Sequence, residues 1–325
     1  MKKKSKFLIL GSNSFSGSHF VNYILKKGHT AIGVSRSKEY SNVFLPYKKS
    51  LNLKYFKFYK LNINTNLTKL TSLVTKYKPD YVVNYIAQGM VSESWINPED
   101  WYQTNIVSQV KLYKNLFKFK FIKKFIHVTT PEVYGSIPQK RKESYKFNPN
   151  TPYAISRATL DIHLRKCHEN FNFPVIFTRT ANVYGPGQQL YRIVPITFLS
   201  AILKNKIKLH GGGKSKRSFI HISDASSATY LICKKGKKGE TYHISTDKII
   251  SIKELVKKIS KISNTHFKNL IKKTKDRMGK DHNYNLSSQK IRRDLNWKPN
   301  IDLEEGLKET FDWIKKNLNT LKKHK

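Results

Sequence analysis

The sequence predicts an α/β protein, a doubly wound parallel sheet with a smaller, mainly C-terminal lobe. Three observations carry this. Short apolar segments alternate with helical patterns through the first 180 residues, and strand–helix–strand repetition of this kind gives a parallel sheet covered on both faces. A glycine-bearing turn follows the first apolar segment directly. After Gly185-Pro186-Gly187 the alternation becomes irregular, and from about residue 250 the pattern is mainly helical.

Taken in order, strands are expected over residues 7–10, 30–35, 55–59, 81–87, 124–129 and 174–180. Helices are expected over about 17–27, 67–77, 98–117 and 152–171. Three helix starts share one chemistry: Asn97-Pro98, Thr130-Pro131 and Thr151-Pro152 each set a capping side chain before a proline. The cap oxygen satisfies a free backbone N–H, and proline at the first helical position loses nothing. Further on, Gly211-Gly212-Gly213 marks a sharp turn. Two strand-like runs, residues 219–222 and 242–245, flank a helical one.

Composition narrows the class. With 38% hydrophobic and 12% aromatic residues in 325, the chain has enough apolar mass for a core, so disorder is not expected. No apolar run approaches the roughly 20 residues of a membrane helix. The start, MKKKSK, precedes only four apolar residues, Phe7-Leu8-Ile9-Leu10, whereas a secretory signal needs about 7–15. Cys167 and Cys233 have no metal-type neighbours, so no metal site is expected, and a cytoplasmic protein with free thiols accounts for them. Lys and Arg total 62 against 21 Asp and Glu, a net charge of +41 that attracts polyanions without a specific site. Bases and aromatics interleave at residues 54–60 and 118–125, but lysines are spread through the whole chain. Nucleic acid is therefore expected only through non-specific charge.

The first strand runs into Gly11-Ser12-Asn13-Ser14-Phe15-Ser16-Gly17. Glycines at such a turn let the backbone approach a pyrophosphate seated on the following helix N-terminus. The turn is of the Rossmann, dinucleotide-binding type, with Ser14 at the usual middle glycine. The second strand ends Ser35-Arg36-Ser37 and offers no carboxylate to ribose hydroxyls. These side chains suit a 2′-phosphate, which predicts NADP over NAD. Tyr153 and Arg157, four apart on a helix, share a face, and a cation beside a phenol favours the phenolate.

Further motifs follow in order. They are Thr129-Thr130-Pro131-Glu132-Val133-Tyr134-Gly135, Pro152-Tyr153-x-x-x-Arg157, Asn182-Val183-Tyr184-Gly185-Pro186 and Arg217-Ser218-Phe219-Ile220-His221. A late run, Asp281-His282 included, completes the series. Together they resemble the extended short-chain dehydrogenase/reductases, in particular the nucleotide-sugar 4,6-dehydratases, over nearly the whole chain. The resemblance implies a nucleotide-binding domain over residues 1–180 with a contribution from about 218–247, and a substrate lobe over 181–325. It implies a homodimer through the helices at 98–117 and 152–171.

It also implies roles. Thr130 binds the sugar C4 oxygen, Glu132 is the base at C5, and Tyr153 is the acid/base at C4, with Arg157 beside it. The cofactor is held by Gly11, Ser12, Asn13, Ser14, Phe15, Gly17, Ser35, Arg36, Ser37, Asn62, Ile63, Ala87, Gln88 and Thr129, with Tyr153 and Arg157. The nucleotide sugar meets Thr130, Asn182, Arg192, Arg217, Asp281 and His282. The implied reaction oxidises C4 transiently, eliminates water across C5–C6 and returns hydrogen to C6.

The sequence departs from the family at two points. Arg157 replaces a lysine, and the two are not interchangeable at a fixed hydrogen-bonding site. Pro131 stands where an aspartic acid assists departure of the C6 oxygen, which leaves Glu132 to deliver that proton. Two alternatives stay open: a 4-epimerase or reductase on the same fold, suggested by Val91-Ser92-Glu93-Ser94, and a non-catalytic dinucleotide-binding protein.

Overall fold

Four consecutive apolar side chains follow Lys6, and a strand covered on both faces is what such a run forms. In the computed structural model, which describes residues 4–136, 139–246, 248–274 and 283–324, this is β1 (Lys6–Leu10). Phe7 and Ile9 point into one core cluster while Leu8 and Leu10 point into another, so the period of two along the strand divides the core in half. The main sheet continues with β2 (Thr30–Ser35), β3 (Phe56–Lys60), β4 (Tyr81–Asn84), β5 (Lys124–Thr129), β6 (Val175–Thr180) and the later β10 (Thr241–Ile244). Every pairing is parallel, in the order β10-β6-β5-β4-β1-β2-β3.

Helices α1 (Phe15–Lys26) and α7 (Ile222–Lys235) lie together on one face. On the other lie α2 (Leu67–Tyr77), α3 (Pro98–Tyr102), α4 (Ser108–Phe117) and α5 (Pro152–Phe171). Strand order reverses at β1, which has β2 on one side and β4 on the other. In open sheets of this kind a ligand crevice opens beyond the carboxyl ends of the strands at that point.

The second sheet comprises β7 (Asn182–Tyr184), β9 (Lys216–His221), β11 (Ile249–Ser251) and β13 (Asn283–Tyr284). A two-stranded sheet pairs β8 (Ile207–His210) with β12 (Ile271–Thr274). Around them pack α6 (Ile193–Ile202), α8 (Ile252–Ile262), α9 (Phe267–Leu270), α10 (Gln289–Leu295), α11 (Leu303–Lys316) and α12 (Leu318–Lys322). Phe198, Leu255, Ile259, Leu307 and Ile314 form a core here. One residue, Ala181, separates β6 of the main sheet from β7 of the second, so the chain crosses between sheets beside the crevice.

Several expectations are corrected. The strand expected over 81–87 stops at Asn84, whose side-chain oxygen accepts the Ile86 N–H at 3.0 Å and bends the chain out of the sheet. The helix over 98–117 is interrupted by a π turn, Gln103–Val107. Asn97 makes no side-chain cap, whereas Thr130 and Thr151 accept from Glu132 N (3.3 Å) and Ala154 N (3.1 Å). Pro131 opens only a 3-10 turn, Pro131–Tyr134. Gly135 ends it at φ +70°, where a Cβ would stand 2.4 Å from the Asn148 carbonyl oxygen. Among the described residues no helix is long and apolar enough to cross a membrane, and no group of three His, Cys, Asp or Glu is placed to hold a metal ion.

Candidate active site

The turn between β1 and α1 is built for close approach. Gly11 has φ +81°, and a Cβ on Gly17 would stand 2.2 Å from the Gly11 carbonyl oxygen. Ser14, at the usual middle glycine, serves as N-cap of α1: its Oγ accepts the Gly17 N–H at 3.0 Å. Ser12 Oγ and Asn13 Oδ1 are buried with no hydrogen-bond partner among the described residues. Buried polar atoms without partners are costly unless a ligand or water meets them. Phe15 is buried just behind them at the start of α1. The glycine cradle and the Ser12 hydroxyl, which can donate, fit a dinucleotide pyrophosphate, whereas Asn13 Oδ1 can only accept and suits a ligand hydroxyl or N–H.

The end of β2 does not form the phosphate pocket expected of it. Ser35 is buried, and its Oγ accepts the Asn13 N–H at 2.9 Å. The Asn13 amide donates to the carbonyls of Ser37 (3.1 Å) and Lys38 (2.9 Å), which folds the segment back on the turn. Ser37 Oγ faces Tyr40 Oη at 3.4 Å, and Arg36 Nη1 reaches Gln88 Oε1 at 3.3 Å. All three side chains are engaged within the protein.

Along the crevice, Ile63 is buried in the core, and Asn62 Oδ1 accepts the Asn64 N–H at 3.0 Å in a local turn. Ala87 is exposed beyond β4. The adjacent Gln88 backbone is pinned from both sides by Asn105: its N–H donates to Oδ1 at 2.8 Å and its carbonyl accepts from Nδ2 at 3.0 Å. Asn105 Nδ2 also reaches Ser156 Oγ on α5 at 3.0 Å. The π turn carries Asn105 into this position, a common use of such turns at functional sites.

Beyond β5 and at the start of α5, Thr130, Glu132 and Tyr153 come together. The Thr130 hydroxyl is hydrogen-bonded to the Tyr153 phenol, and Glu132 is close enough to act on it electrostatically. Sequence reasoning expected a lowered phenol. Instead burial, reinforced by Glu132, pushes Tyr153 above its usual value, and Arg157, Thr130 and Arg192 offset this only in part. Thr129 is turned inward, its Oγ1 donating to Asp161 Oδ2 at 3.2 Å.

Arg157 also points inward. Its Nη1 donates to the Ile86 carbonyl at 3.4 Å, its Nη2 donates to the Val128 carbonyl, and Nη2 lies 3.4 Å from His127 Nε2. Asp161, fully buried, pairs with Arg179 at 2.8 Å and lies 3.3 Å from His127. Sequence reasoning assigned no role to Asp161, Arg179 or His127. An aspartate in the interior of a long helix, eight positions after Tyr153, was the available signal.

Of the residues expected to hold substrate, Asn182 opens β7 beside the crevice. Arg192, exposed, precedes α6 and lies near enough to influence Tyr153. Arg217, 9% exposed, stacks its guanidinium 4.2 Å from the Tyr284 ring centroid. Asp281 and His282 lie outside the described residues.

Comparison with known proteins identifies the family of the chain and of its fold. The sequence model for GDP-mannose 4,6 dehydratase matches residues 8–310. The chain is 33% identical to the dTDP-D-glucose 4,6-dehydratase of Dictyostelium discoideum, over 97% of this chain and 82% of that protein. Its fold superposes on DesIV, the dTDP-glucose 4,6-dehydratase of Streptomyces venezuelae, with a TM-score of 0.90 and 26% identity, covering 97% of this chain and 98% of that one. The Bacillus anthracis dTDP-glucose 4,6-dehydratase gives a TM-score of 0.88 at 28% identity, over 99% and 100% of the two chains. Both solved structures hold NAD, which overturns the expectation of NADP. The engagement of Ser35, Arg36 and Ser37 within the protein is the physical reason that expectation fails. By the span of the family model and its identity to these relatives, the chain belongs to the GDP-mannose 4,6-dehydratase family.

Proposed function

We propose that this chain is an NAD-dependent nucleotide-sugar 4,6-dehydratase, and that its substrate is a dTDP-hexose, as the names of its relatives suggest. One observation carries the reading: Thr130, Glu132 and Tyr153 meet at the carboxyl end of β5, beside a turn shaped for a dinucleotide. Gly11, Ser12 and the start of α1 hold the pyrophosphate, Asn13 Oδ1 accepts from a cofactor hydroxyl beside it, and Gln88, fixed by Asn105, lines the crevice toward the sugar. When bound, the oxidised nicotinamide ring supplies a store for hydrogen taken from C4 and given back at C6, so the cofactor ends unchanged.

The protein's own groups move the protons. Tyr153 reacts as its phenolate, which Thr130 and Arg157 favour against burial, and accepts the proton of the C4 hydroxyl as C4 becomes a ketone. That ketone acidifies C5, and Glu132 takes the C5 proton. Pro131 has no proton to give, so Glu132 passes this same proton to the C6 oxygen, which departs as water. The C4 oxygen stays a ketone: as hydrogen returns to C6, C5 takes a proton from solvent, Tyr153 releases the C4 hydroxyl proton to solvent, and the net change is loss of one water. In this reading Arg217 and Asn182 bind the diphosphate; Asn182 at the start of β7 and Arg192, near enough to act on Tyr153, support it. A 4-epimerase does not call for a base at position 132, and the half-buried Glu132 beside Tyr153 therefore favours elimination.

Two further features fit this reading. Ile155 (39% exposed) and Ile162 (51%) on α5, with Val107 (40%) and Phe117 (37%) nearby, leave apolar side chains at the surface, which supports a homodimer through α4 and α5. Ile162→Glu then yields a monomer by light scattering, and an unchanged mass removes the proposal. Both cysteines are free thiols, which suits the cytoplasm.

The test of function is incubation with dTDP-glucose, GDP-mannose and UDP-glucose in turn. The expected product is a 4-keto-6-deoxy sugar from the dTDP substrate. A C4-inverted sugar with its C6 hydroxyl intact contradicts the reading.

A further inference from the structure

Arg157 sits one helical turn below Tyr153 on α5, yet it is 1% exposed. Its guanidinium is spent inside the protein. Nη1 meets the carbonyl of Ile86, just after β4, at 3.4 Å; Nη2 meets the carbonyl of Val128 in β5, and His127 lies 3.4 Å away. It forms no ion pair among the described residues. The buried carboxylate of the cluster, Asp161, gives Oδ2 to Arg179 at 2.8 Å and to Thr129 at 3.2 Å. His127 is held neutral near pH 7, because burial, aided by Arg157 and Arg179, lowers its pKa to about 4. Two buried guanidinium groups thus face one carboxylate, and the surplus positive charge is solvated by backbone carbonyl dipoles.

Resting on the reading of Tyr153 as the acid/base at C4, we propose that Arg157 is an internal positioning residue. It ties the ends of β4 and β5 together and keeps a fixed cation under the phenol, and it does not bind the cofactor ribose. The two strands it joins lead into Ala87-Gln88 on one side and Thr130 on the other, at the carboxyl ends where the crevice opens. To turn outward the guanidinium would have to abandon both carbonyls, leaving each without its charged donor. A lysine cannot reproduce the arrangement, because a single ammonium head does not span two carbonyls as a planar fork does.

The test compares the full-length chain with Arg157→Lys and Arg157→Met. Three quantities are measured: the dissociation constant for NAD by calorimetry, the melting temperature without added cofactor, and the pH dependence of C4 oxidation in a single turnover. An internal role predicts that NAD affinity changes by less than about threefold in either variant. It predicts that both variants melt at least about 3 °C lower. It predicts that the rising limb of the pH profile moves toward alkaline pH in Arg157→Met and stays in place in Arg157→Lys, which keeps the charge. A loss of NAD affinity beyond about tenfold with an unchanged melting temperature overturns the proposal and makes Arg157 an outward ligand. Should Arg157→Met not fold, Arg157→Lys decides through its NAD affinity and melting temperature alone. Tyr153→Phe separates the two readings. If it turns over normally, the assignment of Tyr153 fails and with it the effect on the phenol, while the affinity and melting measurements, which involve no sugar, still decide the tie between strands.

Discussion

Replacing Asp161 by asparagine is expected to lower the melting temperature by several degrees, and the structure fixes the scale. Asp161 is fully buried on α5 and pairs with Arg179 at 2.8 Å, itself fully buried. Arg179 in turn donates to Tyr134 Oη at 2.7 Å, and Tyr134 Oη lies 2.9 Å from His243 Nε2. Burial alone would raise the Asp161 carboxyl; Arg179, the contact with His127 and Arg157 together outweigh it and hold the group below the usual carboxylate range.

Asparagine preserves the shape and removes the charge, so Arg179 is left buried opposite a neutral amide. Breaking one side of a buried pair costs about 3–5 kcal/mol. An unfolding entropy of about 2.1 cal/mol/K per residue gives roughly 0.7 kcal/mol/K for 325 residues, and hence a fall of about 4–7 °C. The assay is calorimetric or circular-dichroism melting at pH 7 without ligand. Asp161→Asn combined with Arg179→Met is expected to melt above the single variant, since the unbalanced guanidinium is gone. A single variant that melts within about 1 °C of the parent refutes the reasoning, because the pair would then be worth no more than an exposed one.

Three other outcomes are expected. His127, His221 and His243 are almost completely buried, and burial lowers their pKa values to about 4, about 4 and about 3. The unfolded chain therefore binds more protons than the folded one from about pH 6.5 downward, and each histidine costs up to about 1.4 kcal/mol per pH unit until its folded value is reached. Acid melting curves that stay flat between pH 6.5 and 4.5 contradict this. Gly17→Ala forces a Cβ to within 2.2 Å of the Gly11 carbonyl oxygen, so NAD binding should weaken by at least about tenfold, measured by calorimetry; unchanged affinity removes the turn from the cofactor site. Glu132→Gln should slow release of the C5 proton to solvent by about 10²–10⁴-fold while C4 oxidation persists. Equal loss of both steps assigns Glu132 elsewhere.

Much of the fold was legible because its signals were local. Residues 30–35, 67–77, 124–129 and 152–171 were read to their observed ends, since apolar period, prolines and caps sit within a few positions of each boundary. The glycine turn was legible because only glycine tolerates the approach at Gly11 and Gly17. What escaped was set by partners distant in sequence. The π turn accompanies the contact of Asn105 with Gln88, seventeen residues back, and nothing near residue 105 announces it. Ser35 and Arg36 had the residue types for a phosphate, but types do not reveal that Asn13 and Gln88 already occupy them. Position 157 gave a cation beside Tyr153, but not its direction, which is decided by two carbonyls on strands far from it in sequence. The raised phenol has the same origin: the sequence shows the neighbouring charge and not the burial that outweighs it.

The sharpest test follows a single hydrogen. With dTDP-glucose carrying deuterium at C4, oxidation there and return of the same hydrogen at C6 require the label to appear at C6 of the 4-keto-6-deoxy product. Deuterium retained at C4 of a sugar that keeps its C6 hydroxyl, or washed out entirely into water, would contradict the account.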